Sequence, residues 1–299
     1  MEIKTNNYKK IDLTVYVVLR ILVIITMISQ LFRGNLENVF MCILTLILFA
    51  VPIFIDKKLN IKLPSVLEII VLLFIFSAEI LGEVQNFYGI FKGFDTILHT
   101  INGFLCGAIG FSLIDILNRS HKFHAKLSPI FVALVSFCFS MTIGVLWEFF
   151  EFGVDNVLKY DMQKDKVVSN ISTVYLDYEK HDNTVALKNI DKTLIYSYDK
   201  EGNLIETVID GGYLDIGIND TMKDLAVNFV GAVVFSIIGM LYIKNRDGYR
   251  FAEYFMPILK TEQEIRDTKL ELERLEEELE KKKEAKRLKK EEKKNSKNN

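Results

Sequence analysis

Six stretches of mostly apolar residues, each long enough to cross a bilayer, run through this 299-residue chain. They cover approximately Ile11–Phe32, Asn38–Ile55, Ser65–Leu81, Phe94–Leu117, Pro129–Phe152 and Thr221–Ile243. A helix needs roughly 20 such residues to cross a ~30 Å hydrocarbon core. In lipid the backbone must satisfy its own amides, so segments of this length are helices rather than isolated strands. Charged residues make up 25% of the chain, yet the mean hydropathy is +0.20. The two agree only because the charges crowd into short loops, a middle insert and the C-terminal tail. The first apolar run lacks a small-residue cleavage site and is too long for a signal core, so it reads as a retained helix. The expected fold is an all-α polytopic membrane protein of about six transmembrane helices, with a small extracytoplasmic β insert and a C-terminal charged helix.

Orientation follows from Lys and Arg in the connections. The N-terminus carries Lys4, Lys9 and Lys10, and the next loop Arg33. Then come Lys57, Lys58 and Lys62, then Lys92, then Arg119, Lys122 and Lys126. The alternation of 3, 1, 3, 1, 3 places both termini in the cytoplasm. The expected domains are residues 1–155 for five helices, 156–219 for a β-rich insert outside, 220–243 for the sixth helix and 244–299 for a cytoplasmic tail.

The insert is rich in β-branched and aromatic residues over Ile171–Tyr178, Thr184–Ile190 and Thr193–Tyr198, with a turn at Asp199–Asn203 before Leu204–Ile209. That pattern predicts a short β-meander. In the tail, Ile265, Thr268, Leu272, Leu275 and Leu279 recur at alternating 3 and 4 spacing within the charged helix Glu262–Lys294. This is a short coiled-coil seam, read either as a solvated tail or as a surface for a second copy or partner protein. Its acids and bases alternate, so nothing points to nucleic acid.

Ionisable groups inside a span are costly and mark function by default. Here they gather at the outer ends of spans three to six: Glu79, Glu83, Asp95, His99, Glu148, Glu151, Asp155, Asp220 and Asp224. The inner halves carry only Glu68 and Asp115. Asp95 and His99 are i,i+4, with Asn102 a turn deeper; Glu148 and Glu151 are i,i+3; Asp220, Asp224 and Asn228 form another row. Facing inward, these stripes would bring carboxylates too close to stay ionised without a cation or shared protons. Asp95, His99, Asn102, Glu148, Glu151, Asp220 and Asp224 are therefore the candidate polar cluster. Within it His99, Glu148, Glu151, Asp220 and Asp224 are the candidate ligands of a divalent cation.

Such a cation can activate water for envelope or lipid chemistry. The same acids also suit a small proton- or cation-coupled transporter. That alternative predicts broken helices or an internal repeat, and with proline only at 52, 64, 129 and 257 the sequence shows neither. A scaffold acting through the tail is the third reading. Among the remaining features, Gly103, Gly107 and Gly110 predict close helix packing. Arg20 predicts a buried acid or carbonyl partner, and Trp147 an interfacial anchor. Cys42, Cys106 and Cys138 read as inert buried thiols. His121 and His124 read as surface residues of a basic loop.

Three motifs together resemble the YjdF-type family of bacterial membrane-spanning proteins. They are Asp95-x3-His99 opening a Gly-rich span, Glu148-x2-Glu151 followed by Phe152, and Asp220-Thr221-x2-Asp224 before a small-residue helix. The first alone also gives a looser likeness to VanZ-type membrane proteins. The resemblance implies a bacterial cytoplasmic membrane and no characterised activity. Asp115 and Arg119 stand where family members carry an Arg-Glu pair, and the insert is longer than the family's usual segment.

Overall fold

A computed structural model describes residues 2–58, 61–119 and 127–295, although the side chains of residues 2–12, 118–119 and some tail positions fall outside the description. His121 and His124 lie outside the described residues. Nine α-helices are seen among them: α1 (Glu2–Arg33), α2 (Leu36–Leu48), α3 (Val51–Lys58), α4 (Ser65–Phe76), α5 (Phe87–Ile90), α6 (Phe94–Arg119), α7 (Pro129–Leu158), α8 (Ile218–Lys244) and α9 (Glu262–Asn295). Six spans are long and apolar enough to cross a membrane: Leu13–Arg33, Leu36–Lys58, Ser65–Val84, Phe94–Leu117, Pro129–Leu158 and Ile218–Lys244. They imply a lipid bilayer as the protein's surroundings.

Two spans are irregular where the sequence reads as continuous helix. The second breaks at Phe49-Ala50, between α2 and α3. Pro52 has no N–H to give the Leu48 carbonyl, and the Ala50 N–H closes a tighter turn onto Ile47 O at 2.9 Å. The third span changes from α4 to a π-helix over Ser77–Val84. The wider π turn carries Glu79 and Glu83 and leaves Tyr88 room against Gly82, where a Cβ would sit 2.4 Å from the ring.

The later helices form the tight half of the bundle, with α6, α7 and α8 packed pairwise. Along α8, Asp220, Asp224, Asn228, Gly231, Phe235, Gly239 and Tyr242 are buried at three- and four-residue intervals, defining one inward face. Gly103 and Gly231 set the α6–α8 crossing. A Cβ on Gly103 would lie 2.0 Å from Asn228 O, and one on Gly231 2.0 Å from Thr100 O. Gly110 instead accommodates Phe139 of α7. Ser136 and Ser140 of α7 donate to Gly107 O and Gly103 O, each at 2.7 Å. The glycine face therefore serves packing within the chain, where backbones approach closely.

Between α7 and α8 the insert forms separate two-stranded pairs instead of a continuous meander. β2 (Val167–Val168) pairs with β7 (Tyr213–Leu214), β3 (Ile171–Thr173) with β4 (Val185–Leu187), and β5 (Lys192–Tyr198) with β6 (Leu204–Asp210). The Asp199–Asn203 turn is present, with Gly202 at φ +86° and Asp199 accepting from the Glu201 and Asn203 amides. Residues 174–183, which connect β3 to β4, turn around Asp177, whose carboxylate takes the amides of Glu179, Asp182 and Asn183.

At the opposite end of the bundle, β1 (Ile61–Lys62) and β8 (Ile258–Leu259) pair beside α9. Lys62 Nζ meets Glu264 Oε1 at 2.6 Å, and Lys260 Nζ meets Asp56 Oδ2 at 2.9 Å. The Lys62 ammonium and then the Thr261 amide hold the Glu264 carboxyl down at about 2. Of the tail seam, Ile265, Thr268 and Leu272 are half-buried, while the side chains of Leu275 and Leu279 lie outside the described residues. Two further expectations change, those for Arg20 and Cys138, and Asp115 gains a partner. Arg20 stacks over the Tyr16 ring at 5.0 Å, one turn away, so its observed neighbour is an aromatic face. Asp115 pairs with Arg246 at 3.0 Å. Cys138 is exposed on the bundle's exterior, where Cys42 is buried and Cys106 partly so.

Candidate functional site

The close α6–α8 crossing brings the first turns of both helices together at the end of the bundle that carries the insert. Asp95 and His99 project from α6, one turn apart; Asp220 and Asp224 project from α8. His99 Nε2 lies 3.4 Å from Asp95 Oδ1 and 3.8 Å from Asp224 Oδ2. One ligand atom from each of Asp95, His99 and Asp224 falls within 4.8 Å of the others. Asp224 is 2% exposed, and its Oδ1 has no hydrogen-bond partner. The Lys223 ammonium bonds Asp95 and stands 3.5 Å from that same oxygen, outside hydrogen-bonding geometry. Beneath them Asn102 Nδ2 donates to Asn228 Oδ1 at 3.0 Å.

A second group of acids comes from the π segment and α7. Glu79 is 2% exposed, with Oε2 unpartnered. Glu151 accepts from Trp147 Nε1 at 2.7 Å. The phenol of Tyr88 is pushed well above its ordinary pKa by burial and then by the carboxylates of Glu83, Glu79, Asp95 and Glu151.

The insert reaches over both groups. Lys164 Nζ binds Glu83 at 3.0 Å, and Lys166 Nζ binds Asp220 at 2.9 Å. Burial works against the Lys164 ammonium, but the Glu83 carboxylate outweighs it and holds its pKa above the ordinary lysine value. The β2–β7 pairing and Asp215 fix this arrangement. Asp215 accepts from the amides of Lys166 at 2.8 Å, Gly217 at 3.2 Å and Asn219 at 3.0 Å, tying the insert's return strand to the start of α8.

These walls enclose a cavity of about 570 Å³. One end is lined by Asp95, His99, Asp224, Glu79, Glu83 and Glu151 with Lys164, Lys166, Lys223 and Asp220. The other runs deep between the helices over Val71, Phe74, Ile75, Leu105, Ile109 and Ile143. The break in span two also opens onto it through Leu48 and Val51.

Of the cluster expected from sequence, Asp95, His99, Asn102, Glu151, Asp220 and Asp224 all line this cavity. The candidate ligands are grouped by their neighbours. Asp95 joins His99 and Asp224. Asp220 is engaged by Lys166 and the Lys164 amide, and Glu151 by the Trp147 indole. Glu148, 4% exposed with its Oε2 lacking a hydrogen bond, does not line the cavity. The indole of Trp147 holds Glu151 through its Nε1–H. Asp155 closes the α7 C-terminus by accepting the amides of Met162 and Gln163. Sequence reasoning did not find Lys164, Lys166 or Tyr88, which approach only through long-range folding. Lys223, next to Asp224 in a recognised motif, carried a usable signal: a lysine inside a span end needs an acid partner.

No curated protein and no solved structure matches the chain. A family model described as "Predicted membrane protein (DUF2238)" matches residues 13–245, from the first span through the last and across every residue of the cavity. The chain therefore belongs to this family, which is the YjdF family of membrane proteins of unknown function.

Proposed function

We propose that Asp95, His99 and Asp224 bind a divalent cation in the cavity, and that this cation serves chemistry on a lipid or envelope substrate. One imidazole nitrogen and two carboxylates give three protein ligands with positions left for water or substrate. The observation that carries the reading is the buried Asp224 Oδ1, which lacks a hydrogen bond beside two other ligand atoms. A buried carboxylate oxygen without a hydrogen bond is costly, and a cation would satisfy it. A bound ion would displace the Lys223 ammonium and lower the pKa of its water. Charge alternation in the loops supports an orientation with the insert and cavity mouth outside a bacterial cytoplasmic membrane.

Metal analysis of purified full-length protein tests this. The wild type should hold one equivalent of Mn²⁺ or Zn²⁺ after dialysis, and His99→Ala and Asp224→Asn should each lose it. A wild type that retains neither ion overturns the reading.

A second reading, the proton- or cation-coupled carrier, is favoured by the break at Phe49-Ala50 and the π segment, both of which border the cavity. Irregular backbone at membrane depth is tolerated where it lines a cavity, as ion-coupled carriers use it. Ion flux in vesicles that falls in Glu79→Gln while no metal is retained would favour it. The tail helix, anchored through Lys62–Glu264, remains a surface for a second copy or partner protein, and deletion of residues 262–299 tests that role.

A further inference from the structure

We infer that the cavity is a binding site for an amphiphilic organic cation, with the positive head among Glu79, Glu83, Glu151, Tyr88 and Trp147 and the apolar body in the trough toward Ile109. The inference goes beyond the divalent site and stands whether or not a metal occupies Asp95, His99 and Asp224. It rests on four features. The cavity combines a charged end and an apolar end in one continuous volume, so a ligand filling both must be amphiphilic. Six lining carboxyl groups face three lining ammoniums, and all three ammoniums are already paired with acids, so the remaining carboxyl groups are free to meet a positive ligand. Glu79 is 2% exposed and lines the cavity with Oε2 unpartnered. The rings of Tyr88 and Trp147 line the same end and offer faces suited to a diffuse cation.

A compact ion is better served by the Asp95–His99–Asp224 triangle. The cavity wall that carries Glu79 is also lined by Phe74 and Ile75, which cannot replace the water a small ion would lose. An organic cation carries weaker hydration and brings its own apolar surface. Two sources share this chemistry, an amine-bearing lipid headgroup and a free lipophilic cation.

Trp147 is the single tryptophan in the chain, so its emission reports on the cavity directly. Full-length protein in an uncharged maltoside micelle would be titrated with tetraphenylphosphonium and, separately, with tetraphenylborate, an anion of the same shape. Saturable change with the phosphonium alone is expected, and Glu79→Gln should weaken it by about thirtyfold or more. Ile109→Trp, read by titration calorimetry because it adds a second tryptophan, provides an independent arm by filling the trough: it should abolish phosphonium binding with every acid intact. Binding should survive His99→Ala, which removes the proposed metal, so failure of either site is distinguishable. Displacement of the phosphonium by added phosphatidylethanolamine identifies a headgroup as the source, and its persistence identifies a free cation. Equal responses to both probes, no saturable response, or unchanged binding in both Glu79→Gln and Ile109→Trp would overturn the inference.

Discussion

Asn102 Nδ2 donates to Asn228 Oδ1 at 3.0 Å, joining α6 to α8 one turn beneath His99 and Asp224. Asn228 is 1% exposed and its amide also reaches Met141 Sδ at 3.6 Å, so three helices share one polar contact. Hydrogen bonds between membrane helices average about 0.6 kcal/mol and reach about 1.7 kcal/mol. Asn102→Ala and Asn228→Ala should each lower the unfolding free energy by an amount in that range. Because the two residues satisfy each other, the double variant should cost less than the sum. Strict additivity in a double-mutant cycle would show that the pair is not coupled.

The crossing beneath that contact depends on two glycines. Any Cβ at Gly103 or Gly231 meets a carbonyl oxygen of the opposing backbone at 2.0 Å, and backbone cannot rotate away. Gly231→Ala should therefore cost about 3 kcal/mol or more, at the upper end for overpacking, and shift His99 relative to Asp224. Gly153→Ala on α7 is the control, since a Cβ there meets nothing within 4 Å. It should be neutral or stabilise by up to about 1 kcal/mol, as alanine restricts the unfolded chain. If the two variants unfold alike in detergent, the crossing does not depend on close backbone approach.

The spans and their order were legible because a hydrocarbon environment leaves few alternatives, and their observed bounds fall within six residues of the apolar windows. The Asp95–His99 and Asp220–Asp224 rows were legible because i,i+4 spacing fixes a shared face. What was not legible depends on contacts remote in sequence. Lys166 reaches Asp220 only because Val167-Val168 pairs with Tyr213-Leu214 across the whole insert. The π segment at Ser77–Val84 has no local signature, since its apolar residues suit an α-helix equally well. Pro52 did hint at the break in span two, but a proline in the first turn of a helix is also ordinary.

Lys223 separates two accounts of the triangle. Its ammonium bonds Asp95 and sits 3.5 Å from Asp224 Oδ1, where a cation would bind. If it is a competing counterion, Lys223→Met should tighten Mn²⁺ or Zn²⁺ binding by about tenfold or more, since displacing the ammonium no longer opposes the ion. The same variant without metal should unfold more easily, because clustered carboxylates lose their only cation among the described contacts of Asp224 with lysine or arginine. Weaker metal binding in Lys223→Met, measured by titration calorimetry, would instead make the lysine a support for the site.

Asp215 couples the insert to the cavity, and its titration makes that coupling measurable. Burial works to raise its carboxyl, but the N–H donors of Lys166, Asn219 and Gly217 outweigh it and hold the group below the ordinary aspartate value of 3.8. A depressed folded-state pKa means the stabilisation is complete above the unfolded value and declines as pH falls through the folded one. Asp215→Asn keeps the shape but accepts these amides more weakly, and should cost about 1–3 kcal/mol near neutral pH. The difference between wild type and variant should be largest at about pH 6 and shrink toward about pH 3, as the wild-type carboxyl protonates. Hydrogen exchange at residues 164–168 and 213–219 reads it locally, free of other acids that titrate elsewhere. A gap independent of pH would mean that Asp215 acts through shape alone, and Lys164 and Lys166 would then hold their places over Glu83 and Asp220 without its charge.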